Sequence, residues 1–450
     1  MDTRREETPS AHRGGDPVTP QLRRIAERAR REPKATFTSL YHLMNEDLLR
    51  DSFQRRQANA AAGIDTMTKA AYAQHLEHHL TDLVGRLHRM AYRPQPVRRV
   101  YIPKPGTDRL RPLGIPCLED TVVQAGLVCI LEVIYAQDVI ADSYGCRPGR
   151  SCHDALRVVT QTIERRPVHY IVEADIKSFF DSVDRTWLQR FLGHRMADQR
   201  VLRLMGRFLK AGVLEDGAVE VQDRGTIQGG VLSPLLGNVY LHDVLDLWFE
   251  RVFKKSCRGM ARIVCYADDD LACFQHQADA VRLKTAMTER LATFGLEIEP
   301  TKTTMLAFGR YAAQHATERG ERPKTFEFLG FTHYGSQTRD GKRFRVGRKT
   351  SAKKFRAKLV AMKEWLKRVR TQPTGWIWHR VAAILRGHFA YYGVSGNSQA
   401  LRCFALEVRN LLFKWLNRRG KRGTLDWDRF QLMLKRYPLP RPRITVMMYG

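Results

Sequence analysis

The chain has no Cys-x-x-Cys pair, no long apolar run and far too few acids for its bases. Eight cysteines are scattered through 450 residues. The closest two, Cys146 and Cys152, stand beside His153. A structural zinc site needs four ligands at tighter spacing, so these read as reduced thiols of an intracellular protein. No stretch of about 18 apolar residues occurs, which excludes a membrane-spanning helix. The opening MDTRREETPS is too polar for a secretory signal, and Asp2, Glu6 and Glu7 argue against an organellar transit peptide. A cytoplasmic address is expected. Asp and Glu number 47 against 76 Lys and Arg, a formal net charge of +29. That excess points to a polyanionic partner, nucleic acid ahead of a ribosomal-type or membrane-surface role. Hydrophobic residues make up 43%, enough for several packed cores.

Residues 1–35 are rich in Arg, Pro and small polar residues and are expected to be mostly disordered, with a basic helix at QLRRIAERARR. Residues 36–95 read as a helical segment. Asn45 is placed to cap a helix starting at Glu46, Ala62-Gly63-Ile64-Asp65 breaks the pattern, and KAAYAQHLEHHLTDLVGRL forms a second helix. Residues 96–340 change character. VRRVYIPKPGTDRLRPLGIP has strand-like ends around a Pro-Gly turn, EDTVVQAGLVCILEVIYAQDV is an apolar helix, and strands alternate with helices to about Tyr334. After Gly347, within the final region 341–450, the chain is expected to turn helical and very basic, with helices near 349–371, 376–393 and 398–418. No internal repeat is present.

The sharpest chemical signal is RIVCYADDDLACF, two short apolar runs around three aspartates. It predicts a β-hairpin with acids at its tip. Adjacent carboxylates repel unless a cation joins them, although Asp-rich turns are often merely solvated. YIVEADIKSFFDSVDRTWL adds a second acid, Asp175, at the end of an apolar strand, where a carboxylate needs a reason to stand. Asp181 and Asp184 follow at a helix start, where capping accounts for at least one. Two-metal phosphoryl transfer needs two or three carboxylates from different strands, and Asp175, Asp268 and Asp269 supply them. Mg²⁺ takes few protein oxygens and completes its shell with substrate phosphates, so a sparse acid set suffices.

Tyr266-Ala267-Asp268-Asp269 resembles the catalytic box of reverse transcriptases. From about Phe37 to Ile444 an ordered series of blocks resembles bacterial group II intron-encoded reverse transcriptases. VYIPKPGTDRLRPLGIP and SYGCRPGRSCHDAL resemble the fingers blocks, ADIKSFFDSVD the first catalytic block, and RGTIQGGVLSPLLGNVYLHDVLD the Gln-Gly block. GLEIEPTKT, the FEFLGF primer grip, the LRGHFAYYGV thumb or maturase segment and the AAGIDTMT extension follow the same pattern. Three positions depart from it. Asp270 stands where an aromatic or aliphatic residue is commoner, Ile227 where proline precedes Gln-Gly, and Thr66 where glycine is common. Asp270 either alters metal binding or points away, since successive strand residues face opposite sides.

The resemblance implies an α+β right-hand polymerase of fingers, palm and thumb. Its antiparallel palm sheet would be backed by helices, with the acids on the open face, and its thumb would be basic and helical. It implies RNA-directed DNA synthesis with two Mg²⁺ ions held by Asp175, Ile176, Asp268 and Asp269. Lys104 and Arg111 would clamp the incoming dNTP, and Phe180 would exclude a 2′-hydroxyl. Gln228 and Gly229 would contact the nascent pair, and Lys302 would protonate the leaving pyrophosphate. Phe328, Leu329, Gly330 and Phe331 would hold the primer. The implied partners are an intron RNA template and a DNA primer or target, within a ribonucleoprotein that also assists splicing. A reverse transcriptase adapted to defence or DNA repair, and a non-catalytic splicing factor, are the competing expectations. No HNH-type nuclease block follows the thumb, so target cleavage is expected from the intron RNA, or an existing DNA end serves as primer. Phe389, Tyr392 and Trp415 have helical spacing that favours core over base stacking.

Overall fold

A computed structural model describes residues 19–103, 110–215, 217–220, 224–226, 229–338, 340–419 and 425–449. Eleven strands are named among them: β1 (Val97–Pro103), β2 (Leu110–Ile115), β3 (Tyr170–Asp175), β4 (Val213–Glu215), β5 (Ala218–Glu220), β6 (Ala261–Tyr266), β7 (Asp269–Phe274), β8 (Thr304–Ala307), β9 (Phe326–Phe328), β10 (Phe331–Gln337) and β11 (Phe344–Thr350). They form three sheets, ordered β2-β1-β4-β5, β6-β7-β3-β8 and β11-β10-β9. Every pairing is antiparallel except β1 with β4. The mixed α and β architecture with antiparallel sheets agrees with the sequence reading.

The sheet β6-β7-β3-β8 separates two cores, and its pleat decides which residue enters which. Val172, Ala174, Ile263, Cys265, Ala272 and Phe274 enter the first core. Ile171, Val264, Leu271 and Cys273 enter the second. Such strict alternation is what a strand buried on both faces requires. The first core gathers around Leu118–Tyr135, a helix apolar on all sides and buried along nearly its whole length. The helices Ser233–Leu241 and Gln277–Thr293 also pack there. The second core joins the sheet to the helix Cys152–Arg165, to β9–β11 and to the C-terminal helices.

The basic helix near the start is present as Pro20–Arg31, capped by the Thr19 side chain. Asn45 accepts from Leu48 N at 3.0 Å and caps Glu46–Gln54, as its sequence position predicts. Asp184 caps Arg185–Gly193 through the N–H groups of Thr186 and Trp187. The helix expected over residues 69–87 is instead two, Lys69–Ala73 and Leu76–His88. The interruption lets Tyr72 bury its ring against Phe53 and stack on His79. The C-terminal helices are Ala352–Val369, Thr374–Tyr392 and Ser398–Asn417. Helical structure begins after Thr350 rather than Gly347, because β11 continues along β10 to the Phe331–Thr350 pair. Phe389, Tyr392 and Trp415 are buried core residues.

Two local features carry consequences for stability. The buried Asp198 carboxylate accepts four backbone N–H groups. Arg200 and Val201 donate to Oδ1 at its own helix start, and Leu40 and Tyr41 donate to Oδ2 at 2.7 and 2.9 Å. One side chain therefore fastens the N-terminal layer to the central core. Thr66, which departs from the glycine common in similar chains, is exposed and left-handed, with φ 56°. A β-branched residue there is strained.

Removing Asp198 (D198A) leaves these donors without their acceptor and is expected to destabilise the fold by about 3 kcal/mol or more. Denaturant unfolding checks this, and a loss under about 1 kcal/mol would contradict the bonding described. Thr66→Gly is expected to raise stability by about 0.5–1 kcal/mol, since relieved strain exceeds the added chain entropy of glycine. A lowered melting temperature would contradict that sign.

Candidate catalytic site

Asp175 ends β3 and Asp269 begins β7, and the two are direct partners in the antiparallel ladder. Asp269 also pairs with Tyr266 across the β6–β7 hairpin, leaving Ala267 and Asp268 as its two-residue turn. Ala267 is left-handed, with φ 57°. The turn is backed by the segment Ser143–Cys146. Tyr144 N donates to the Cys265 carbonyl and Cys265 N to the Asp142 carbonyl, both at 2.9 Å. At Gly145 a Cβ would lie 2.2 Å from Ala267 N, so only glycine lets this segment close on the hairpin. Gly145 was not among the residues singled out in the sequence. Its position in SYGCRPG was the available signal.

Two of the three acids, Asp268 and Asp269, have raised pKa values. Burial pushes Asp268 up, and Asp175 adds to the effect, while Arg111 and Lys302 oppose it. Asp269 keeps solvent contact but is enclosed on its other sides. It is pushed up to about 7, by burial first and then by Asp268 and Asp175. Lys302 and Lys354 counter this. Lys354 lies in the first turn of Ala352–Val369 and was missed among many similar lysines in the sequence. Lys302 forms an ion pair with Asp175 Oδ2. It is delivered there by the segment 297–302, which runs beside the end of β3. Lys177 N donates to the Glu297 carbonyl, Glu299 N to the Asp175 carbonyl, and Ile176 bridges Ile298.

Hard carboxylate oxygens at the ends of paired strands fit a divalent cation such as Mg²⁺. Among the described residues no three His, Cys, Asp or Glu side chains are gathered closely enough to hold a metal ion by themselves. A cation held here would need oxygens from a bound substrate to complete its shell. The acids occupy only one end of their face, because Ile171, Leu271 and Cys273 continue that face into the second core.

The remaining expected residues divide. Phe180 is half-buried beside Phe179, with ring centroids 5.1 Å apart, and Phe179 is the core residue of the two. Thr226 N donates to the Phe180 carbonyl at 2.7 Å, tying the Gln-Gly block to this turn. Gly229 has φ 112°, and a Cβ there would meet the Gly114 carbonyl at 2.4 Å. The backbone at Gly229 thus approaches β2 closely. Arg111 is exposed on β2. Phe328 and Phe331 are buried and flank the turn Leu329-Gly330, both left-handed at φ 48° and 76°. Lys104, Ile227 and Gln228, like residues 1–18, lie outside the described residues.

Asp270 points away from the other acids, into the first core. It is 4% exposed, and its Oδ2 has no hydrogen-bond partner among the described residues. Burial and then the Asp246 charge push its pKa well up. Cys265 Sγ donates to Asp246 Oδ1 at 3.3 Å beside it.

A family model described as reverse transcriptase (RNA-dependent DNA polymerase) matches residues 102–333. The chain is 36% identical over 230 residues to the group II intron-encoded protein LtrA of Lactococcus lactis subsp. cremoris, covering 51% of this chain and 38% of that one. It is 33% identical over 250 residues to protein YkfC of Escherichia coli (strain K12), covering 54% and 65%. To nuclear intron maturase 2, mitochondrial, of Arabidopsis thaliana it is 26% identical over 235 residues, covering 43% and 30%. The match therefore spans less than two thirds of each of these relatives. No helix among the described residues is long and apolar enough to cross a membrane.

Because Asp270 is a buried, incompletely bonded acid behind the hairpin, Asp270→Leu is expected to stabilise the protein by about 1–3 kcal/mol. Denaturant unfolding measures this. A less stable variant would mean that Asp270 has a compensating partner.

Proposed function

Because the chain belongs to the reverse transcriptase family, whose members generally use divalent metal ions, we propose that it is an RNA-directed DNA polymerase of the group II intron type. Residues 96–340 form its fingers and palm, 341–450 a basic thumb, and 36–95 a helical extension. The observation that carries the reading is the β3–β7 register, which sets Asp175 beside Asp269 with Asp268 at the adjoining turn. Asp175, Asp268 and Asp269, with the Ile176 carbonyl, would hold two Mg²⁺ ions. When bound, the ions lower the pKa of the primer 3′-hydroxyl and offset charge on the triphosphate and departing pyrophosphate.

The chain's own groups do the rest. Arg111, with Lys104, orients the triphosphate by charge-assisted hydrogen bonds. Phe180 lies under the sugar and leaves no room for a 2′-hydroxyl, which selects dNTPs. Gln228 and Gly229 contact the nascent base pair. Lys302 neutralises Asp175 and supplies a proton to the pyrophosphate oxygen. The Phe328–Phe331 turn holds the primer end. The net charge of +29 supports backbone phosphate contacts to a structured RNA, and the intron-encoded relatives favour intron RNA, with a role in splicing and mobility.

Primer extension on an RNA template, with dNTPs and Mg²⁺, tests the reading. Wild-type protein is expected to make template-length DNA. Asp268→Ala is expected to lower the rate by about three orders of magnitude or more, and EDTA to abolish it. A folded, RNA-binding wild type that extends nothing would instead favour a non-catalytic splicing factor.

A further inference from the structure

Glu173 stands two residues before Asp175 on β3, so both side chains leave the same face, about 7 Å apart along the strand. It lies outside the acid set and is occupied with two other elements. Oε2 accepts the Thr304 hydroxyl of β8 at 2.8 Å. Oε1 accepts the backbone N–H of Glu327 at 2.8 Å. Glu327 belongs to β9, the edge strand of β11-β10-β9, so this bond joins two separate sheets.

The contact continues on the far side. Glu327 Oε1 accepts the Ser351 hydroxyl at 2.8 Å and the Thr332 hydroxyl at 3.3 Å. Ser351 immediately precedes the helix Ala352–Val369, and its N–H donates to the Gly330 carbonyl at 3.0 Å. Tyr391 donates to the Leu329 carbonyl at 3.0 Å. The Leu329-Gly330 turn is thus bonded to Ser351 and Tyr391 of the C-terminal region, and β9, the strand that leads into it, is bonded to a carboxylate of the catalytic strand.

We propose that Glu173 is a positioning residue that fixes the Phe328–Phe331 turn, and with it the primer 3′ end, relative to Asp175. The proposal rests on the polymerase reading of that turn. The two carboxylate oxygens divide the task, one accepting the amide and the other the hydroxyl. Glutamine keeps an acceptor for Glu327 N–H and can donate to the Thr304 oxygen, whereas alanine keeps neither bond. A loosened bracket leaves the triphosphate contacts of Arg111 untouched and displaces the nucleophile. A displacement of about 1 Å costs on the order of a hundredfold in rate.

Single-turnover incorporation of one nucleotide on an RNA template, across a range of dNTP concentrations, separates these effects. E173A is expected to lower the maximal rate about tenfold or more. The half-saturating dNTP concentration should stay within about twofold, since no triphosphate contact is lost. E173Q should recover most of the rate. S351A should slow the same step, and the double variant should fall short of the product of the two losses, because both loosen one strut. Unchanged rates in folded E173A would overturn the proposal, as would an E173Q as slow as E173A or a loss that appears only in dNTP saturation. If E173A fails to fold, S351A decides, and a wild-type rate there overturns it. A wild type that incorporates nothing would remove the polymerase reading and this proposal together. An active wild type with an indifferent E173A removes this proposal alone.

Discussion

Three aspartates held close together repel, and the architecture is organised around making that arrangement tolerable. The antiparallel ladder between β3 and β7 leaves no freedom in the matter. Once Tyr170 is opposite Phe274, Asp175 is opposite Asp269. Burial first, and this repulsion after it, raise the pKa values of Asp268 and Asp269. Backbone hydrogen bonds and two apolar cores, one against each face of the sheet, hold the strands in register against it. Cations from three distant segments soften it: Arg111 from β2, Lys302 after residues 297–301, and Lys354 from the C-terminal helix. A site with this charge pattern is poised for a divalent cation and for phosphates that bring further oxygens.

The same constraint explains why the surroundings are so heavily braced. The hairpin tip carries a left-handed Ala267 and rests against Gly145. The segment after β3 is tied to 297–302, and the Phe180 turn is tied to Thr226. The Leu329-Gly330 turn is tied to the C-terminal helices through Ser351 and Tyr391. Further along, Val446 pairs with Val394, and Met448 is buried, so residues near the end of the described chain also brace the second core. Local interactions of about 1 kcal/mol each become a rigid frame because many share partners.

Much of this was legible in the sequence. Asn45, and the pair Asp181 and Asp184 of which Asp184 is the cap, announced helix starts because capping is a local interaction, decided within four residues. The hairpin at RIVCYADDDLACF was legible because two apolar runs flank a polar turn. The break at Gln74 and the strand persisting to Thr350 were not. The first depends on where Tyr72 finds its ring partners, and the second on the pairing of β11 with β10. Lys354 and Glu173 were equally hidden, since nothing near them in sequence distinguishes them from other charged residues.

The chemistry is written in the linear chain. The residue types, their order along the chain and the large positive charge identify the family and nominate the acids, because those signals survive without coordinates. Facing and distance come from the fold. Asp270 sits beside two acids in sequence yet is turned into the opposite core by the strand pleat, while Asp175 lies 93 residues before Asp268 and is brought to it by strand pairing. Side-chain direction has a period of two along a strand, and strand pairing is non-local. A linear reading can list the groups, but the sheet assigns each to its side.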